Sequence, residues 1–198
     1  MRRVVVTGLG IISPLGNSTA EVTTALKSGT SGVEASSEMA EHGFRSQIAG
    51  TLKINPAEHI DKRRMRFMGP GAAYAYLSME QAIADAGLSE DQVVNPMTGL
   101  IAGSGGPSTS AMLAAHQTVL KSGATKRIGP FAVPKTMSST VSANLATAFQ
   151  IKGMNLYPPL CCDLCPVMKR LHLLTTIENI CMVLLINFIR IYQRVDMY

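Results

Sequence analysis

The chain has 198 residues, 46% of them hydrophobic and 16% charged, a balance that excludes a disordered chain and suits one globular domain or part of a larger one. Its formal net charge of +5 is modest, and no long Lys/Arg run carries interleaved aromatics, so nucleic acid is not the expected partner. Three valines after Met1-Arg2-Arg3 are too few for a secretory signal, and the longest apolar run, Cys181 to Ile186, is too short to span a bilayer; the expected location is the cytoplasm, without membrane attachment.

Val4-Val5-Val6-Thr7 predicts a buried strand ended by Gly8. A Gly/Pro-rich loop follows, and Ser18 and Glu21 have the spacing of a capping box for a helix running to about Lys27. Residues 29–55 read as short strands and turns. The clearest element is residues 69–88, where Ala72, Ala75, Tyr76, Met79, Ala82, Ile83 and Ala86 recur at helical spacing. Gly87 stands where a left-handed cap belongs, with Leu88 to close over it. Thr98 to Gly106 predicts a second short buried strand, followed by a helix from about Ser108 to Lys121. Residues 135–150 predict one further helix with Met137, Val141, Leu145 and Ala148 on one face. Strands alternating with helices argue for an α/β layer fold.

Several motifs invite chemistry and fall short of it. Gly8 and Gly10 fill two positions of a dinucleotide-binding G-x-G-x-x-G, but Ser13 takes the third and a long loop separates strand from capped helix, so no tight turn delivers a helix N-terminus to a pyrophosphate. His42, His59 and His116 have no cysteine or carboxylate at ligand spacing. Cys161, Cys162, Cys165 and His172 can be drawn as a zinc site, but a structural site needs a second well-spaced pair and Cys181 is a single loose ligand. Lys62, Arg63, Arg64 and Arg66 precede the longest helix as either a solvated basic turn or a docking patch for an acidic partner, which Lys126 and Arg127 would extend.

The composition breaks near Asn155. All 17 glycines lie before that point, whereas residues 156–198 contain neither glycine nor alanine and carry all four cysteines. The tail reads either as a terminal helix with its own bias or, preferably, as a segment from a shifted reading frame. Residues 1–155 therefore read as a domain and residues 156–198 as an aberrant tail.

Val4 to Asn17, Asp61 to Met68, Tyr74 to Leu88, Gly99 to Gly106 and Gly129 to Asn155 together resemble the N-terminal part of the type I β-ketoacyl-acyl-carrier-protein synthases, the elongating condensing enzymes of bacterial fatty acid synthesis. The resemblance runs from Met1 to Asn155. It implies the N-terminal half of a thiolase-like layered α-β-α-β-α fold, incomplete in this chain, and a homodimer in the intact family. It also implies decarboxylative Claisen condensation of a cysteine-bound acyl chain with malonyl-carrier protein, without metal or other cofactor. Lys62, Arg63 and Arg66 match the family's carrier-protein docking residues, with Lys126 and Arg127 as further candidates.

The family continues past this point with Ser-Ala-Cys-x-Thr-Ser, whose cysteine is the nucleophile at a helix N-terminus. Cys162 stands at the matching offset, but Pro158, Pro159 and Leu160 replace small residues, and Asp163 adds a charge that opposes a thiolate. One allowed set of codons for Leu160 to Cys165, read one nucleotide later, encodes Ser-Ala-Ala-Thr-Ser, close to the family motif. The expectation is a truncated, frame-disrupted synthase without a working active site, the alternative being a non-catalytic module that binds carrier protein or a second subunit.

Overall fold

The computed structural model describes residues 4–157 and the backbone of residues 188–194. Strand β1 (Val4–Ile11) begins in the valine run but does not stop at Gly8. It continues through Gly8 and Gly10 because helix α5 (Pro70–Ala86) lies directly on it. A Cβ at Gly8 would collide with the Ala82 carbonyl and with Ala86, and one at Gly10 with the Ser78 carbonyl. The glycines serve close helix-on-strand packing rather than a turn. The same helix supplies side chains to the strand's backbone: Leu9 N–H donates to Asp85 Oδ2 at 2.8 Å and Ile11 N–H to Gln81 Oε1 at 3.2 Å.

Helix α1 (Thr19–Ser28) starts at Ser18, whose hydroxyl accepts from Glu21 N–H at 3.3 Å. The capping box closes one residue early, with the Glu21 carboxylate accepting from Asn17 N–H at 2.7 Å. Strands β2 (Val33–Ala35) and β3 (Ile48–Gly50) pair antiparallel around the short helix α2 (Ser37–Glu41), joined by an ion pair between Lys53 and Glu34. Helices α3 (Pro56–His59) and α4 (Lys62–Met65) lead into α5.

Helix α5 is the spine of the core, with Ala73, Ala75, Met79 and Ala82 fully buried. It ends as the sequence indicates: Gly87 adopts φ 65° and Leu88 N–H donates to the Ile83 carbonyl. Helix α6 (Glu90–Val93) precedes strand β4 (Leu100–Ile101), which is buried and pairs in parallel with β5 (Asn155–Leu156). Between these strands come α7 (Thr109–Ser122), a 3-10 turn (Thr125–Ile128), α8 (Ala132–Thr136) and α9 (Thr140–Ala148).

The single helix expected over residues 135–150 is thus two. Met137 takes an extended conformation (φ −63°, ψ 135°), and the Thr136 carbonyl accepts from Ser108 N–H at 2.9 Å instead of continuing a helix. Met137 is consequently 51% exposed, whereas Val141 and Leu145 are buried against α5 with Leu100.

Backbone residues Phe188–Arg194 form β6, antiparallel to β1 in a register from Val4↔Arg194 to Ile11↔Phe188, with an irregularity between Val6 and Gly8. No helix among the described residues is long and apolar enough to cross a membrane.

Candidate functional site

The basic segment before α5 is held by Asp61, whose carboxylate caps α4 by accepting from Arg63 N–H at 2.6 Å. This cap sorts the four cations. Arg64 donates to the Tyr76 hydroxyl at 3.0 Å and lies 5.9 Å from the ring centroid, while Tyr76 stacks on Phe149 at 5.0 Å. Arg64 therefore braces α4 against α5. Lys62, Arg63 and Arg66 are exposed, and among the described residues none of them has a carboxylate partner.

Arg66 lies 4.9 Å from the Phe67 ring centroid and 5.2 Å from that of Phe131, and the two rings meet edge-to-face at 5.0 Å. Phe131 follows closely on Lys126 and Arg127, which are exposed in the 3-10 turn and likewise lack a carboxylate partner among the described residues. The aromatic pair thus brings Arg66 to the segment that carries the second basic pair. Sequence reasoning noted the cations and missed the aromatics that join them; a Phe directly after Arg66 and another after Gly129-Pro130 were the available signal.

A cleft of about 410 Å³ opens beside Phe131, with Ser110, Thr118 and Lys135 among its lining. Met68, Ala111, Ala115, Ile128 and Phe131 line it, between the start of α5 and helices α7 and α8.

Cys162 lies outside the described residues, as do Cys161, Cys165, His172 and Cys181 of the zinc reading. The segment leading toward Cys162 is well placed. Leu100 N–H donates to the Met154 carbonyl at 2.7 Å and Ala102 N–H to Leu156 at 3.2 Å, and the Tyr157 hydroxyl reaches the Ser104 carbonyl at 3.4 Å. Tyr157 therefore sits at the carboxyl ends of two parallel strands, where open α/β sheets place their sites. His42, His59 and His116 are exposed and stand apart from this region's contacts. Among the described residues no three His, Cys, Asp or Glu side chains converge as a metal site.

The family model for the beta-ketoacyl synthase N-terminal domain matches residues 1–160. The chain belongs to the β-ketoacyl synthase family. The 3-oxoacyl-[acyl-carrier-protein] synthase 1 of Haemophilus influenzae is 55% identical to it over 155 residues, covering 78% of this chain and 38% of that protein. The chain thus spans well under half the length of the curated relative it matches. A solved β-ketoacyl synthase from Burkholderia phymatum STM815 superposes with a TM-score of 0.66 at 28% identity, over 80% of this chain and 39% of that one. A type II polyketide ketosynthase solved in complex with its acyl-carrier protein superposes with a TM-score of 0.60 at 19% identity, a likeness of fold over 77% of this chain and 40% of that one. The fold of this synthase domain is that of the thiolase-like ketosynthases.

Proposed function

We propose that residues 1–155 form the carrier-docking and scaffold portion of a 3-oxoacyl-acyl-carrier-protein synthase. The whole enzyme's reaction is decarboxylative condensation. A cysteine thiolate accepts the acyl group from its thioester, a malonyl thioester loses CO₂, and the resulting carbanion attacks the acyl carbonyl, so that the cysteine leaves as thiolate. Lys62, Arg63, Arg66, Lys126 and Arg127 form the docking surface for an acidic carrier protein.

The observation that carries this reading is the set of exposed cations that lack carboxylate partners among the described residues, one of which, Arg66, lies against Phe67 and against Phe131 at a cleft. Clustered charges raise the encounter rate with an acidic partner, and the adjoining aromatics add contact area once it arrives. The Haemophilus relative's name, and a ketosynthase of the same fold solved with its carrier protein, support the partner class.

On this reading residues 156–198 replace the segment that bears the nucleophile, with Cys162 a positional match only. The 198-residue chain then binds carrier protein without condensing. Titration with acyl carrier protein, run alongside a malonyl-decarboxylation assay, tests this directly: binding without CO₂ release is expected, and CO₂ release by this chain contradicts it.

A second interaction is favoured by the exposed apolar residues of α7 and α8. Met112, Leu113, Leu120 and Val133 are 49–70% exposed, as is Met137 beside them at 51%. We infer that this face pairs two copies of the chain. Sedimentation velocity should show a dimer that Leu113→Glu with Leu120→Glu dissociates, and an unchanged sedimentation coefficient contradicts the pairing.

A further inference from the structure

Helices α5, α7 and α9 all begin at one cleft of about 250 Å³, which adjoins the one beside Phe131 and shares Gly69, Pro70, Ser110 and Lys135 with it. The starts of α5 and α7 approach closely. A Cβ added at Gly69, the cap residue of α5, would lie 2.6 Å from the Lys135 carbonyl and 3.2 Å from Ser108 Oγ, where α7 is capped. Neither Gly69 nor Ser139 gives its helix a side-chain cap, and Ser108 caps only Ala111 N–H. The backbone N–H groups of Gly71, Ala72, Thr109, Ser110 and Val141 consequently have no partner among the described residues.

Side chains point to a ligand independently of the backbone. Thr140 lines the cleft and is only 8% exposed, yet its hydroxyl has no hydrogen-bond partner among the described residues. The hydroxyl is not sealed off from solvent, so its donor is free for whatever occupies the cleft. Lys135 also lines it, is half-buried and has no carboxylate partner among the described residues. No Asp or Glu is present in the lining. The cleft therefore combines three positive helix ends, one cation and one hydroxyl with no protein partner among the described residues, with no opposing charge in its lining.

We propose that this cleft binds a tetrahedral oxyanion, a phosphate or phosphate-ester group, through the free first-turn N–H groups, the Thr140 hydroxyl and the Lys135 ammonium. Donors arriving from three helices match an anion whose oxygens diverge, which a flat carboxylate engages less completely. The site is separate from the docking cations and does not depend on the condensing activity.

The test is calorimetric titration of the full chain with inorganic phosphate, with methyl phosphate and acetate as comparison arms. Chloride balances the ionic strength throughout so that screening is constant. One phosphate per chain is expected, weakened about tenfold by Lys135→Met and about fivefold by Thr140→Val. Methyl phosphate binding as tightly as phosphate assigns an ester ligand, and tighter phosphate binding assigns the free ion. Gly71→Asp is the decisive variant. A Cβ there meets no atom within 4 Å, and an acidic residue in a first turn favours the helix, so the fold is retained while the cleft gains a negative charge. It should abolish phosphate binding and leave the melting temperature unchanged or raised. No phosphate binding to the parent chain, undiminished binding to Gly71→Asp, or acetate binding as tightly as phosphate overturns the proposal.

Discussion

The Arg66 guanidinium lies 5.2 Å from the centre of the Phe131 ring, although the two residues belong to different basic segments of the chain. Their contact fixes a cation on an aromatic plate instead of leaving it on a free side chain. Phe131→Leu removes both the cation–π contact and the edge-to-face contact with Phe67. The expected cost is about 1 kcal/mol of stability. Carrier-protein affinity should fall about threefold because Arg66 is no longer held in place. Urea denaturation and carrier titration read the two effects separately, and full affinity in the variant would show that Arg66 needs no such support.

Arg63 and Arg64 are neighbours with opposite roles. Arg64 is engaged with Tyr76, so Arg64→Met should lower stability by about 1 kcal/mol. Arg63→Met should change stability by less than about 0.5 kcal/mol, as expected for an exposed side chain without partners, while weakening carrier binding. Equal stability losses in the two variants would contradict the division.

The approach of β1 to α5 predicts intolerance at one glycine and tolerance at another. Gly10→Ala pushes a methyl group into the Ser78 carbonyl and should destabilise the domain by about 3 kcal/mol. Gly71→Ala meets nothing within 4 Å in the first turn of α5 and should stabilise by about 0.5 kcal/mol. Chemical denaturation of the two variants decides it, and a harmless Gly10→Ala would contradict the close approach of strand and helix.

These glycines also show what was legible beforehand. The α5 helix and its Gly87 cap follow from local spacing, and both stand as read. Gly8 reads as the end of a strand and Gly10 as part of the loop after it, because glycine signals a turn and a close approach alike. Only the distant Ser78 and Ala82 distinguish the two cases. The break at Met137 depends on Ser108 capturing the Thr136 carbonyl, a contact invisible to the periodicity of residues 135–150. In the candidate site, the cations and the family resemblance were readable, but the sorting of Arg64 from Arg66 was not. It rests on Tyr76 and Phe131, partners that the order of residues does not name.

The tail yields a chemical prediction. Pro158, Pro159 and Asp163 give Cys162 neither a small-residue approach nor a charge environment that favours a thiolate. A cysteine-directed acyl-enzyme inhibitor should label Cys162 no faster than Cys161 or Cys165, as peptide mass spectrometry after brief exposure would show. Replacing residues 156–198 with the corresponding remainder of the Haemophilus relative should yield decarboxylative condensation. Selective labelling of Cys162 in the present chain would contradict the view that the tail has displaced the nucleophile segment.

The most direct measurement is the affinity of the full chain for acyl carrier protein, compared with that of the Arg63→Glu/Arg66→Glu double variant at about 20 mM and about 500 mM salt. Both arginines are exposed without carboxylate partners among the described residues, so reversing them should leave the fold intact. The account predicts at least a tenfold loss of affinity at low salt, shrinking as the Debye length contracts. Equal affinity of parent and variant at low salt would contradict it and reduce the basic segment to a solvated turn.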